Sequence, residues 1–224
     1  MAWLGNELPT RSVLGDEIYE LLKARLMDNV VEPGARLSID GLARDLGCSA
    51  TPVREAMARL ESDGLVVHKA HHGYTAAPVI DAHTFEELFT MRLLLEPACA
   101  SWAAKAARPR QIAAMEDLVS EMRAPTTGSD YDDYKLFAAQ DAAFHSAIAT
   151  ASGVGLMVET LERLRPHVRL YRLHYTAGIA EETVLEHQHV LDAIARRDET
   201  AAAEAMATHL RSARLRLEAS LDQE

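Results

Sequence analysis

The sequence predicts a mainly α-helical fold in two parts, an N-terminal winged helix-turn-helix with a two-stranded wing and, behind it, an all-α helical bundle. Three observations predict it. Apolar residues recur at helical spacing through most of the 224 residues. A tight-turn signal, Gly47-Cys48-Ser49, separates two short helical stretches. Strand chemistry is confined to Leu65 to Ala77 and is absent from the C-terminal half.

Each element follows from local chemistry. Ser12 to Asn29 carries Val13, Ile18, Leu21, Leu22 and Leu26 near helical spacing, and Glu32-Pro33-Gly34 supplies a turn that a helix does not cross. Ser38 or Asp40 caps a short helix with Leu42 and Leu46 inside, and Gly47 stands where a left-handed stop is wanted. Ser49 caps the next helix, with Pro52 in its first turn and Val53, Met57 and Leu60 on one face. Asp63-Gly64 then turns the chain into Leu65 to Lys69, and a polar link ending in His72-Gly73 leads to Tyr74 to Ala77, which together read as a hairpin. Pro78 to Ala82 reads as a linker. Beyond it about six helices are expected, with breaks near Pro109, Pro125 to Ser129, Gly153 and Gly178. The expected domains are therefore residues 1–78 and residues 79–224.

Composition narrows the function. Cys48 and Cys99 lie far apart in apolar helical stretches, so buried free thiols are expected rather than a disulfide, which suits a cytoplasmic location. Met1 to Pro9 lacks the charged-then-apolar pattern of a signal peptide, and stretches such as Met91 to Ala104 are interrupted by Arg92 and Glu96, so neither a leader nor a membrane span is expected. The net charge is −11, and residues 1–78 carry eight Lys and Arg against eleven Asp and Glu. That excludes a general nucleic-acid coat, whose affinity comes from clustered cations. DNA binding by this chain must use a small local patch and geometrically specific, dimeric contacts.

The N-terminal end of the second helix of a helix-turn-helix enters the major groove. Here that end offers Ser49, Thr51 and Arg54. Arg54 can fork onto a guanine edge or a phosphate, and the two hydroxyls can donate to phosphate. Lys69, His71, His72 and Gly73 on the wing suit the backbone or the minor groove. Any one of these alone is equally a solvated surface residue. Their order along the chain is what points to DNA.

In the helical half, Phe85, Leu88, Phe89, Leu95 and Cys99 form one stripe, and Arg92 and Glu96 fall inside it. An unpaired buried charge is costly, so either these two satisfy each other or Arg92 awaits an anionic ligand. Asp141 and His145 share an apolar face at i, i+4, a spacing that suits one metal ion or a simple hydrogen bond. His187 falls on the inner face of the next helix, with His189 on the solvent side, and His209 flanks the inner stripe of the last. Burying Asp141, His145, His187 and His209 separately requires four unrelated solutions, whereas one metal explains all four. Three imidazoles and a carboxylate suit a divalent transition metal, zinc first, with nickel, manganese or iron as further choices, rather than calcium or magnesium.

Leu46-Gly47-Cys48-Ser49-Ala50-Thr51-Pro52-Val53-Arg54-Glu55-Ala56, followed by Arg59-Leu60-Glu61 and Asp63-Gly64-Leu65-Val66, resembles the DNA-binding domain of the GntR family. The family usually has an arginine that contacts DNA where Ala50 stands. The C-terminal half resembles the FCD-type ligand domain of FadR-like members in Asp141-x-x-x-His145, Glu186-His187, His209-Leu210, and Arg92 with Leu95-Glu96. The resemblance implies a homodimeric regulator of a catabolic operon, a repressor, on double-stranded operator DNA. It also implies that metal and arginine together hold a small carboxylate effector, the arginine being Arg92, beside Glu96; Arg172 is a further candidate ligand-binding residue by its place near the metal helices. Tyr171, Arg172, His174 and Tyr175 fit a pocket wall near the metal helices, and fit core packing or surface exposure equally well. Two other functions fit the same cluster: a metalloenzyme with Glu96 as base, which would leave the winged helix without a purpose, and a regulator sensing the metal itself.

Overall fold

The computed structural model describes residues 13–69, 73–123, 131–164 and 179–221. The chain divides into two compact units, Met1–Pro78 and Val79–Glu224.

In the first unit, α1 (Val13–Met27) packs against α3 (Ala50–Ser62), and α2 (Ile39–Asp45) packs on α3 from the other side of the turn. Ser38 caps α2, accepting from the amide of Gly41 at 3.3 Å. Gly47 takes φ 65°, a left-handed stop between the two helices that a side chain would strain. Val53, Ala56, Met57 and Leu60 of α3 are fully buried, and so are Ile18, Leu22 and Leu26 of α1, the helix that packs on it. Each large side chain so buried contributes about 1.5–3 kcal/mol.

The wing contains more than the expected hairpin. β2 (Val66–Lys69) and β3 (Gly73–Ala76) pair antiparallel, and a two-residue strand β1 (Arg36–Leu37) adds to the far edge of β3, giving the order β1-β3-β2. The amide of Gly34 donates to the carbonyl of Ala76 at 3.0 Å, and that of Ala76 to the carbonyl of Ala35 at 2.8 Å. Gly34 makes the turn at φ 79°. The strand is too short to show an alternating pattern, which is why its sequence gives no signal.

Apart from short links, the described residues of the second unit form helices: α4 (Ala82–Ala106), α5 (Pro109–Met122), α6 (Tyr131–Ala151), α7 (Gly155–Leu164), α8 (Ile179–Ala195) and α9 (Glu199–Leu221). Asp81 caps α4, accepting from the amide of Thr84 at 2.7 Å. Pro109 starts α5, where its missing N–H costs nothing. Gly153 at φ 78° ends the turn between α6 and α7. Helix α4 runs through Pro97 without interruption. It packs on α9, α6 and α8, while α9 also lies along α8 and α5 along α6. The main core joins Cys99, Met115, Phe144, Ile148, Leu191, Ile194, Met206 and Leu210, and a smaller one gathers Phe85, Leu88, Phe89 and Leu217. The same helices carry a buried polar cluster, with Arg92 and Glu96 on α4, His145 on α6, His187 on α8 and His209 on α9. No helix among the described residues is long and apolar enough to cross a membrane.

Candidate functional site

At the start of α3, Pro52 and Val53 turn into the core, leaving Ser49, Thr51 and Arg54 exposed. Ser49 occupies the N-cap position, yet its hydroxyl makes no capping bond, contrary to the capping role expected of it. Its oxygen therefore accepts from none of the first-turn amides of α3. Ala50 is half-buried in the first turn. On the wing, Lys69 and Gly73 face each other in register and both are exposed, with Gly73 at φ 76°. Tyr74 stacks near His68, ring centroids 4.8 Å apart. Burial, then the charge of Glu61, raises the Tyr74 pKa, and Arg54 opposes the shift. Arg54 of α3 and Tyr74 of β3 thus lie in one neighbourhood. His71 and His72 lie outside the described residues.

In the helical unit, Arg92, Glu96, His145, His187 and His209 are 4%, 3%, 7%, 0% and 3% exposed, whereas His189 is exposed. Helices α6, α8 and α9 bring His145, His187 and His209 together, each offering a ligand atom within 4.8 Å of the others. The ring centroids of His187 and His209 are 4.6 Å apart, and both rings lie 5.2 Å from that of His145. Asp141 joins them, its Oδ1 at 3.4 Å from His187 Nε2 and 3.9 Å from His145 Nε2. The four residues that share inner helical faces in the sequence therefore meet in space.

Two carboxylates stand behind the imidazoles. His145 Nδ1 donates to Glu96 Oε2 at 2.5 Å, and Arg92 Nε donates to Glu96 Oε1 at 2.6 Å. Burial alone would raise the Glu96 pKa, but the charges of Arg92 and His145 and their hydrogen bonds hold it far below the ordinary carboxylate range. Arg92 and Glu96 do pair with each other, yet the bond between them uses Nε and does not take up the two terminal amino groups of Arg92. On the other side, His209 Nδ1 donates to Glu186 Oε2 at 2.8 Å. Arg216 holds Glu186 with both terminal nitrogens, at 2.7 and 2.8 Å. Burial pushes the Glu186 pKa up, but hydrogen bonds from Arg216 and His209 bring it down to about 2. An ionised carboxylate accepts, so Nδ1 carries the proton in both imidazoles, and the nitrogen left to face the cluster is Nε2, which carries the lone pair whenever the ring is neutral.

His187 differs from the other two. Neither of its ring nitrogens makes a hydrogen bond, and Phe144 lies against its face at 4.5 Å between centroids. Burial, then the neighbouring His209, lowers its pKa well below the ordinary histidine value, against the pull of Asp141. The pKa of His209 is also lowered, by burial first, although its bond to Glu186 works the other way. Neutral rings with outward-facing lone pairs are what a transition metal binds. Glu186 is visible in the sequence beside His187, but Arg216 is not singled out there, because nothing in a charged residue on a helix flank says which helix it will meet. Tyr171, Arg172, His174 and Tyr175 lie outside the described residues.

Residues 14–75 match the family described as bacterial regulatory proteins, gntR family, and residues 87–212 match the FCD domain. The chain is 25% identical over 195 residues to the HTH-type transcriptional regulator YdhC of Bacillus subtilis, covering 86% of each chain. It is 26% identical over 204 residues to the HTH-type transcriptional repressor RspR of Escherichia coli, covering 90% of this chain and 87% of that one. The Nta operon transcriptional regulator of Aminobacter aminovorans is 27% identical over 180 residues, with 80% and 82% covered. Among solved structures, Escherichia coli McbR/YncC shares the fold with a TM-score of 0.69 at 23% identity, covering 93% of this chain and 99% of that one. With the helix-turn-helix at one end and the helical domain at the other, the chain belongs to the GntR family and is a DNA-binding transcriptional regulator with an FCD domain, not an enzyme.

Proposed function

We propose that this regulator is a homodimeric repressor of a catabolic operon, released or modulated when a small carboxylate binds a divalent transition metal held by Asp141, His145, His187 and His209. One observation carries the metal: His187 is fully buried with two ring nitrogens that make no hydrogen bond, inside a cluster of two further imidazoles and a carboxylate. Orphaned buried nitrogens are costly unless something binds them. The donor set suits zinc first. A metal bound there supplies a Lewis-acidic position for an anionic ligand.

The protein's own residues do the rest. Glu96 and Glu186 hold His145 and His209 in the tautomer that presents Nε2. Arg92 and Arg216 neutralise those carboxylates, which lowers the repulsion an incoming anion meets. The terminal amino groups of Arg92 are the donors for the ligand's carboxylate, with Arg172 as a second contact. At the other end, Ser49, Thr51, Arg54, Lys69, His72 and Gly73 meet the operator. The repressor reading draws on the likeness to RspR, and the operon reading on the likeness to the Nta operon regulator. The ligand acts on DNA binding only through its different affinity for two arrangements of the protein, by about 1–3 kcal/mol.

The test is calorimetric titration of a carboxylate panel into metal-loaded and metal-stripped protein, after the metal content of the purified chain has been measured. Metal at one equivalent per chain and a carboxylate that binds the loaded form alone support the reading. A chain without metal affinity overturns it.

A further inference from the structure

We infer that Arg216, acting through Glu186, is a positioning residue of the metal centre, fixing the imidazole of His209 with Nε2 turned toward His145 and His187. The inference rests on the metal reading above and assigns a function to a residue that reading does not need as a ligand.

Arg216 lies seven residues beyond His209 on α9, two turns along the same side. From there its side chain crosses to α8. Nη1 meets Glu186 Oε1 at 2.7 Å, Nη2 meets Glu186 Oε2 at 2.8 Å, and Nη2 also lies 3.4 Å from Thr183 Oγ1. A carboxylate held by one imidazole alone is free to rotate about its own stem. Two parallel N–H donors from one planar guanidinium fix both its plane and its position. Glu186 Oε2, so fixed, accepts from His209 Nδ1 at 2.8 Å and sets the ring's orientation.

The opposite side of the cluster repeats this arrangement with different helices. Arg92 and Glu96 of α4 stand behind His145 of α6 as Arg216 and Glu186 stand behind His209. The repetition argues against a chance surface ion pair, as does the burial at the α8–α9 seam, where Arg216 and Glu186 side chains are 16% and 18% exposed. A simple staple between α8 and α9 is the competing role. It predicts a different outcome, because a staple stabilises the fold without changing how tightly the imidazoles hold an ion.

Full-length protein is stripped with a chelator and titrated with zinc in competition with a chromophoric chelator, and in parallel with cobalt(II), whose visible absorption reports coordination geometry. Arg216→Met, which keeps the apolar stem, is expected to bind zinc about 10- to 100-fold more weakly than wild type and to change the cobalt spectrum. Arg216→Lys keeps the charge but not the parallel pair, and is expected to lose affinity to a smaller extent; it carries the test if the methionine variant does not fold. Wild-type zinc affinity and cobalt spectrum in both variants, with only a lower melting temperature of the stripped protein, would establish the staple and overturn the inference. If wild-type protein itself takes up neither ion, the metal reading fails, and this inference with it.

Discussion

His145 donates its Nδ1 proton to Glu96 at 2.5 Å, and this bond between α6 and α4 turns Nε2 toward Asp141, His187 and His209. Glu96 therefore has two tasks, since it also neutralises Arg92 at 2.6 Å. Glu96→Gln removes the charge with little change of shape. It leaves Arg92 buried without its counter-ion, at a cost of about 3–5 kcal/mol in stability. Urea unfolding of the metal-free protein measures that cost, and a loss below about 1 kcal/mol contradicts the pairing.

Helical spacing separates His187 from His189: the first is fully buried beside Asp141, the second exposed. His187→Ala is expected to abolish metal retention and His189→Ala to leave it unchanged, as read by metal analysis after gel filtration. Equal retention in the two variants would remove His187 from the site.

At the DNA end, Arg54→Ala is expected to weaken operator binding by about 1–3 kcal/mol while leaving the fold intact, because Arg54 is exposed and the core face of α3 lies opposite. Ala50→Arg restores the residue usual in the family and is expected to tighten binding and to steepen its salt dependence by about one counterion. A titration of DNA affinity against salt reads both effects, and an unchanged slope in Ala50→Arg rules out a new phosphate contact.

The first unit also predicts a pH dependence. Tyr19 donates to Asp63 Oδ2 at 2.5 Å, and burial first, this bond second, raise its pKa from 10.0 to about 12. A raised acid pKa means that the folded chain keeps its proton longer than the unfolded one, so the stabilisation is full below pH 10 and is lost as pH rises from 10 to about 12. Tyr19→Phe is expected to cost about 1 kcal/mol near neutral pH, discounted for the partly exposed carboxylate. That gap should close across the alkaline window in denaturant unfolding followed at several pH values. A gap that persists to pH 12 speaks against the assignment.

What the sequence shows is what has a period. His187 against His189, Asp141 with His145, and Arg92 with Glu96 are all fixed by the 3.6-residue turn of a single helix, so the spacing of the residues alone assigns their faces. The mainly helical fold with its wing is legible for the same reason, helped by Gly47 and Pro109 at helix ends. Contacts between helices are not readable in this way. Arg216 meets Glu186 across thirty residues, and His145 meets Glu96 across forty-nine, by packing alone. The strand Arg36–Leu37 is hidden because two residues carry no alternation. The missing capping bond of Ser49 is invisible because a cap residue type does not dictate that its bond forms.

The most direct measurement is the affinity of the metal-loaded protein for DNA from beside its own gene, with and without each of a panel of small carboxylates, in wild type and in His187→Ala. Sequence-selective binding by wild type, weakened about 5- to 150-fold by one carboxylate and unresponsive in His187→Ala, is the predicted result. The same response in His187→Ala, or the same DNA affinity with every carboxylate, would contradict a regulator whose signal is read at the metal.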